Sequence, residues 1–299
     1  MKGGGVMETF DDIKQAAYDL PDKNLVVAGA LDEQVIIACA NAYREGICNS
    51  ILVGKPDPIT GLCLKYDFPP GGYEILPAEN SEEECLVAIE AIKSGRAQIL
   101  MKGKVKTGFL MKTVLSNLGR DRLLSHVFVA QRPEGGFFLM SDGGMVIKPS
   151  IEDKLHIIEN AVEVARALGI SEPRVLILSH ETKVQQGEEA SLEGAIISTM
   201  AKRGQISTSR VYGPGPLELS IDNADIVIVP NIECGNILGK SIQYFAGFSN
   251  GLIVAGARCP IVLTSRADSA EIKLNSIALA LVSSTFSPGI NSPAGNEAL

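Results

Sequence analysis

Cationic and hydroxyl side chains gather at the ends of apolar runs in this sequence. Lys102, Lys104, Lys106 and Thr107 follow "AQILM", and Arg132 follows "HVFVAQ". Ser179, His180 and Glu181 follow "RVLIL"; Asn231 and Glu233 follow "DIVIVP"; Thr264, Ser265 and Arg266 follow "PIVL". If these runs are strands of an open α/β sheet, a ligand binds beyond their carboxyl ends. A single Lys or Arg in a loop is most often a solvated charge. Five of them at strand ends, in a chain of net charge −8, point to an anionic substrate.

A second candidate is "ADIVIVPNIECGNILGKSIQYFAG", residues 224–247. Its "GKS" invites a P-loop reading, but a P-loop needs four residues between its first Gly and the Gly-Lys-Ser. Gly235 and Gly239 have three between them, and Cys234 stands where the glycine is required. The segment reads instead as a strand, a glycine-bearing turn and a helix opening near "GKS". Unpaired N–H groups at a helix start favour an anion, Gly235 would let it approach, and Lys240 would add charge. An ordinary strand-to-helix turn is the competing reading.

The elements around these residues follow from periodicity. Strands are expected at 24–30, 50–54, 97–103, 174–180, 225–231, 251–256 and 260–266, with a hairpin formed by "HVFVAQR" and "GFFLMSDG" around "PEGG". Helices are expected at 32–46 capped by Asp32, 81–95 capped by Ser81, 107–119, 150–170, 190–204 and 269–284. Continuous apolar strands alternating with helices imply an α/β protein with mostly parallel sheets. About ten strands are too many for one comfortable open sheet, and 299 residues suit two domains, with a border near 142–150. The tail "SPGINSPAGNEAL" is expected to fray.

Composition excludes several classes. No apolar run approaches the roughly 20 residues needed to span a bilayer, and "MKGGGVMETFDD" lacks a signal-peptide core. An acidic chain offers no nucleic-acid surface. The cysteines at 39, 48, 63, 85, 234 and 259 form no C-x-x-C pair and read as reduced thiols of a cytoplasmic protein. His126, His156 and His180 show no metal spacing, so no metal is expected.

Four stretches carry a resemblance. "QILMKGKVKTGFLMKTVL", "VFVAQRPEGGFFLMSDGGMVIKP", "NIECGNILGKSIQYFAG" and "GARCPIVLTSRADSAEIKLNSIAL" resemble the phosphate acetyl/butyryltransferase family, nearer its butyryl branch, over roughly residues 20–285. The resemblance implies transfer of an acyl group between coenzyme A and inorganic phosphate. It implies a two-domain fold like that of isocitrate and isopropylmalate dehydrogenases, with an interdomain cleft, and a homodimer or higher homo-oligomer. The last helix would return to the first domain, giving residues 1–145 and 260–299 as one domain and 146–259 as the other. Coenzyme A thioester would be a substrate, with no tightly bound cofactor, no nucleic acid and no membrane involved.

The resemblance also assigns roles. Ser265 would hydrogen-bond the reacting carbonyl or thiol and Arg266 would hold phosphate. Arg132 falls where the family carries a second Arg, and Lys112 stands where it carries another. Lys102, Gly103, Lys104 and Thr107 form the "KG" loop. Asn231, Glu233, Gly235, Asn236 and Lys240 belong to the "N-I-E-x-G-N" turn and its helix. The acetyl branch has an acidic pair after the signature; here Glu271 is followed by Ile272, so Glu271 alone can be the base. Between "VYGPGPLEL" and "NADIVIVPN" only "SID" remains of a helix-sized segment of the butyryl branch, which would alter the second domain beside the acyl pocket. A non-catalytic relative binding coenzyme A or acyl phosphate, and a hydroxy-acid dehydrogenase on the same fold, are the alternatives.

Overall fold

The structure is a computed structural model and describes residues 5–21, 23–206 and 209–286; the expected fraying of the tail lies outside them. In chain order the elements are α1 (Phe10–Tyr18), β1 (Asn24–Ala28), α2 (Glu33–Arg44), β2 (Asn49–Gly54), α3 (Pro56–Lys65), β3 (Tyr73–Pro77), α4 (Ser81–Lys93), β4 (Ile99–Lys102) and α5 (Thr107–Leu118). There follow β5 (Ser125–Gln131), β6 (Phe137–Ser141), α6 (Ile151–Ala167), β7 (Arg174–Leu178), α7 (Glu189–Lys202), β8 (Arg210–Gly215), α8 (Ser220–Asn223), β9 (Ile226–Ile228) and α9 (Ile232–Ser241). The chain ends with β10 (Asn250–Ala255), β11 (Ile261–Val262) and α10 (Ala270–Ser284).

Contacts divide the described residues into two compact units. The first holds 11–121 and 251–286; the second holds 5–10 and Arg122–Asn250. Both borders fall earlier than the expected 145 and 259. The physical reason is strand pairing. β6 pairs in parallel with β9, Leu139 opposite Ile226, which places the hairpin in the second unit. β10 pairs antiparallel with β11, Ile253 opposite Val262, which places it in the first.

In the first unit the strand order is β3-β2-β1-β4-β11-β10. β1 pairs in parallel with both β2 and β4, and β4 with β11. Leu25 to Ala28 of β1 and Ile99 to Met101 of β4 are buried, as strands covered on both faces must be. α10 is buried from Lys273 to Ser283, apolar nearly all round, and lies against α2, β4 and β11. In the second unit the order is β5-β6-β9-β7-β8, with β5 antiparallel to β6 and the rest parallel.

Capping residues fix where the helices start. Asp32 accepts from the Val35 N–H, and Ser150 and Asp153 form a reciprocal capping box on α6. α4 is capped by Asn80, one residue before the expected Ser81. The helix expected to open at "GKS" opens seven residues earlier, at Ile232, because the Asn231 side chain accepts from the Cys234 N–H at 3.0 Å. Five cysteines are buried; Cys234, in the first turn of α9, is exposed.

Candidate active site

β1, β4 and β11 run in the same direction and end together, Ala28 opposite Lys102 and Met101 opposite Val262. Chain connections leave β1 for β2 on one side while β4 lies on the other. Such a switch point opens a crevice at the carboxyl ends. The loop after β4 crosses the loop after β1 at close quarters. Gly103 N–H donates to the Ala28 carbonyl at 3.0 Å and Lys104 N–H to the Gly29 carbonyl at 2.7 Å. A Cβ at Gly103 would stand 2.1 Å from the Gly29 carbonyl oxygen, so only glycine fits.

Three cations meet here. Lys102 is half-buried at the end of β4. Burial pushes its ammonium below the usual lysine range, the Arg266 guanidinium pushes it further, and Asp32 opposes both. Ser265 and Arg266 are exposed three and four residues beyond β11. Their loop is a tight turn. Asp268 N–H donates to the Ser265 carbonyl at 3.1 Å, and Ser265 N–H donates to the Asp268 carboxylate at 2.6 Å. Lys273, only 2 % exposed on α10, donates to the carbonyl oxygens of Ser265 at 3.2 Å and Asp268 at 2.7 Å. Burial lowers its pKa, and Lys102 adds to that; Asp268 and Asp32 oppose it. Lys102, Arg266, Lys273, Asp32 and Asp268 thus form one electrostatic group around an exposed hydroxyl, with one more cation than anion.

The other expected residues of this unit lie at its margins. Lys104 and Thr107 are exposed where α5 begins, and the Lys106 side chain at its N-cap makes no capping hydrogen bond. Lys112 is exposed in the second turn of α5. Glu271 is exposed in the first turn of α10, where Ser269 caps by accepting from the Ile272 N–H at 3.3 Å.

In the second unit a different group forms at the carboxyl ends of β6 and β9. Asn231 is the cap of α9, and Gly235 lies buried in its first turn. A Cβ at Gly235 would stand 2.6 Å from the Gly143 Cα and 2.8 Å from the Asp142 carbonyl oxygen. Glycine is required there by backbone packing, where the sequence suggested room for an anion. Asn236 Nδ2 donates to the Gly143 carbonyl at 3.4 Å. Asp142 is buried and accepts from the N–H groups of Gly144, Met145 and Val146 at 2.7, 2.9 and 3.1 Å. Burial raises its pKa against the pull of those donors and of His126. Glu233 is exposed in the first turn of α9.

Two expected residues do not join that group. Lys240 lies in the last α-helical turn of α9, near the Tyr244 ring, far from the unpaired N–H groups at the start of the helix, which continues as a π-helical turn over Ile242–Ala246. Arg132 follows β5, which runs antiparallel to β6, so it sits at the opposite edge of the sheet from Asn231. Its guanidinium donates to the Ala224 carbonyl at 2.9 Å and stacks over Phe138. The shortened segment is a 3₁₀ turn, Leu217–Leu219, followed by α8. It leaves the carboxyl end of β8 and arrives at the amino end of β9, the edge that holds Arg132.

Sequence reasoning missed Asp142, Asp268 and Lys273 as site residues and read Asp32 only as a cap. Each left a signal. Asp268 stands three residues after Ser265 as in a side-chain-closed turn, and Lys273 is a lone charge inside an apolar helix run.

Comparison with known proteins gives a consistent result. The family described as "Phosphate acetyl/butaryl transferase" matches residues 72–281. The phosphate butyryltransferase of Clostridium acetobutylicum is 34% identical, covering 92% of this chain and 98% of that protein. The phosphate acetyltransferase of Thermotoga maritima is 36% identical, covering 87% and 95%. A branched-chain phosphotransacylase from Enterococcus faecalis V583 superposes with a TM-score of 0.79 at 26% identity, covering 88% of this chain and 99% of that one. The cation-lined strand ends therefore sit in a member of the phosphate acetyl/butaryl transferase family, and the chain is a phosphate acyltransferase.

Proposed function

We propose that the chain moves a short acyl group, butyryl by preference, between coenzyme A and inorganic phosphate, with phosphate held by Arg266 and Lys102. The observation that carries this reading is the placement of Lys102 at the end of β4 and of Arg266, with the exposed Ser265, just beyond the parallel β11. A dianion placed between two such cations relieves their repulsion and gains charge-assisted hydrogen bonds. The preference for butyryl rests on the motif segments, which resemble the butyryl branch, and on relatives such as the Clostridium acetobutylicum enzyme.

The chemistry asks little more of the protein. An oxygen of hydrogen phosphate attacks the thioester carbonyl carbon, the C–O bond forms and the C–S bond breaks. The proton of the phosphate hydroxyl ends on the sulfur, giving acyl phosphate and free coenzyme A. Arg266 and Lys102 hold the nucleophile against its repulsion by the phosphates of coenzyme A. Ser265 donates to the oxygen that becomes negative in the tetrahedral intermediate. Glu271 carries the proton, accepting it from the thiol in the reverse direction. Coenzyme A is a substrate in this scheme, and no covalent enzyme intermediate is needed.

Rates with acetyl-, propionyl-, butyryl- and valeryl-CoA at saturating phosphate test the preference. The highest kcat/KM is expected with butyryl-CoA; a maximum at acetyl-CoA would contradict it.

A further inference from the structure

The Ser265–Asp268 turn is held from below by a buried charge that the reaction itself does not use. Lys273 is 2 % exposed, and its neighbours Leu274 to Val282 on α10 are buried too. A lysine in such surroundings is costly unless paired, and an apolar side chain of similar length is often neutral or stabilising in its place. Fold stability alone therefore gives no reason for an ammonium here. Its hydrogen bonds do. One nitrogen reaches the carbonyl oxygens at both ends of the turn, Ser265 and Asp268. The Ser265 N–H is bound by the Asp268 carboxylate, so both backbone polar groups of Ser265 are pinned. The charged groups facing Lys273 are Asp268 from the turn, Asp32 from the start of α2 and Lys102 from the end of β4.

We propose that Lys273 is a positioning residue for phosphate acyl transfer: by gripping the carbonyls of Ser265 and Asp268 it fixes the turn that aims Ser265 and Arg266. This rests on the reading of Ser265 and Arg266 given above. With the ammonium gone, the Ser265 carbonyl keeps only the Asp268 N–H, and the turn can rotate. A displacement of about 1 Å at a reacting group costs on the order of 10²-fold in rate.

Lys273→Met separates positioning from folding. The expected result is a melting temperature equal to or above that of the unchanged protein, with kcat for butyryl-CoA reduced on the order of 10-fold and KM for phosphate raised on the order of 10-fold. Lys273→Gln, a neutral donor, is expected to fold and to fall between the two. Unchanged kinetics in a folded Lys273→Met would overturn the proposal. Failure of both variants to fold would also overturn it, by making Lys273 a residue of the fold. Arg266→Ala measured alongside keeps the two claims apart. If its phosphate kinetics are normal, the reading of the site fails; if they are impaired while Lys273→Met is unaffected, only the positioning role fails.

Discussion

Lys102 ends β4, Arg266 follows the parallel β11, and their contributions can be tested separately. Removing the guanidinium in Arg266→Ala leaves an incoming phosphate one charge-assisted partner short. Phosphate use should weaken by about 2–4 kcal/mol, read as kcat/KM for phosphate. Lys102 predicts a pH dependence. Burial and Arg266 lower its pKa, so its charge is lost before the ordinary lysine value of about 10.4 is reached. Phosphate KM should therefore rise as pH rises through that lowered value, and Lys102→Gln should flatten the rise while raising KM throughout. Stability has the opposite sign. The unfolded chain binds this proton more tightly, so raising pH through the lowered pKa removes a burial cost and stability increases. Glu271 is an exposed acid in the first turn of α10, a position that also favours the helix dipole. If it carries the proton, Glu271→Gln should reduce turnover roughly 10²- to 10⁴-fold and remove one limb of the pH profile. A fall under about tenfold with the limb intact would give the proton to another group.

The elements that aim these residues make their own demands. Gly103 passes so close under the Gly29 carbonyl that a methyl group has no room. Gly103→Ala should cost more than about 2 kcal/mol in a denaturant melt, since backbone must move to admit it. Gly108, in the first turn of α5, has nothing within 4 Å of an added Cβ. Gly108→Ala should be neutral or slightly stabilising in the same melt. The contrast between neighbours shows what a sequence can disclose. The strand-end placement of Lys102, Ser265 and Arg266 was legible because polar residues terminating apolar runs mark the ends of strands. Arg132 also ends an apolar run, but at the other end of its sheet. An apolar run announces a strand but not its direction, and β5 runs against β6, which carries Arg132 to the other edge. Lys240 lies away from the helix start because the Asn231 cap opens α9 before the glycine. Gly235 was rightly singled out as special, but its neighbour is the Asp142–Gly143 backbone.

For the whole molecule, the fold class and family were readable because strand and helix periods alternate and long motif segments recur in order. The unit borders were not, because they depend on which strands pair, β6 with the sequence-distant β9 and β10 with the neighbouring β11. The chain carries a net charge of −8, yet its cations meet at the ends of β4 and β11. In the proposed scheme a small dianion is drawn by that local field and not by the molecule's overall charge. The most direct test is release of the coenzyme A thiol from butyryl-CoA, followed with and without inorganic phosphate, with butyryl phosphate measured in the same samples. The account predicts saturable dependence on phosphate and one butyryl phosphate formed for each thiol released. Thiol release that proceeds equally without phosphate, or none with phosphate and any short acyl-CoA, would contradict it.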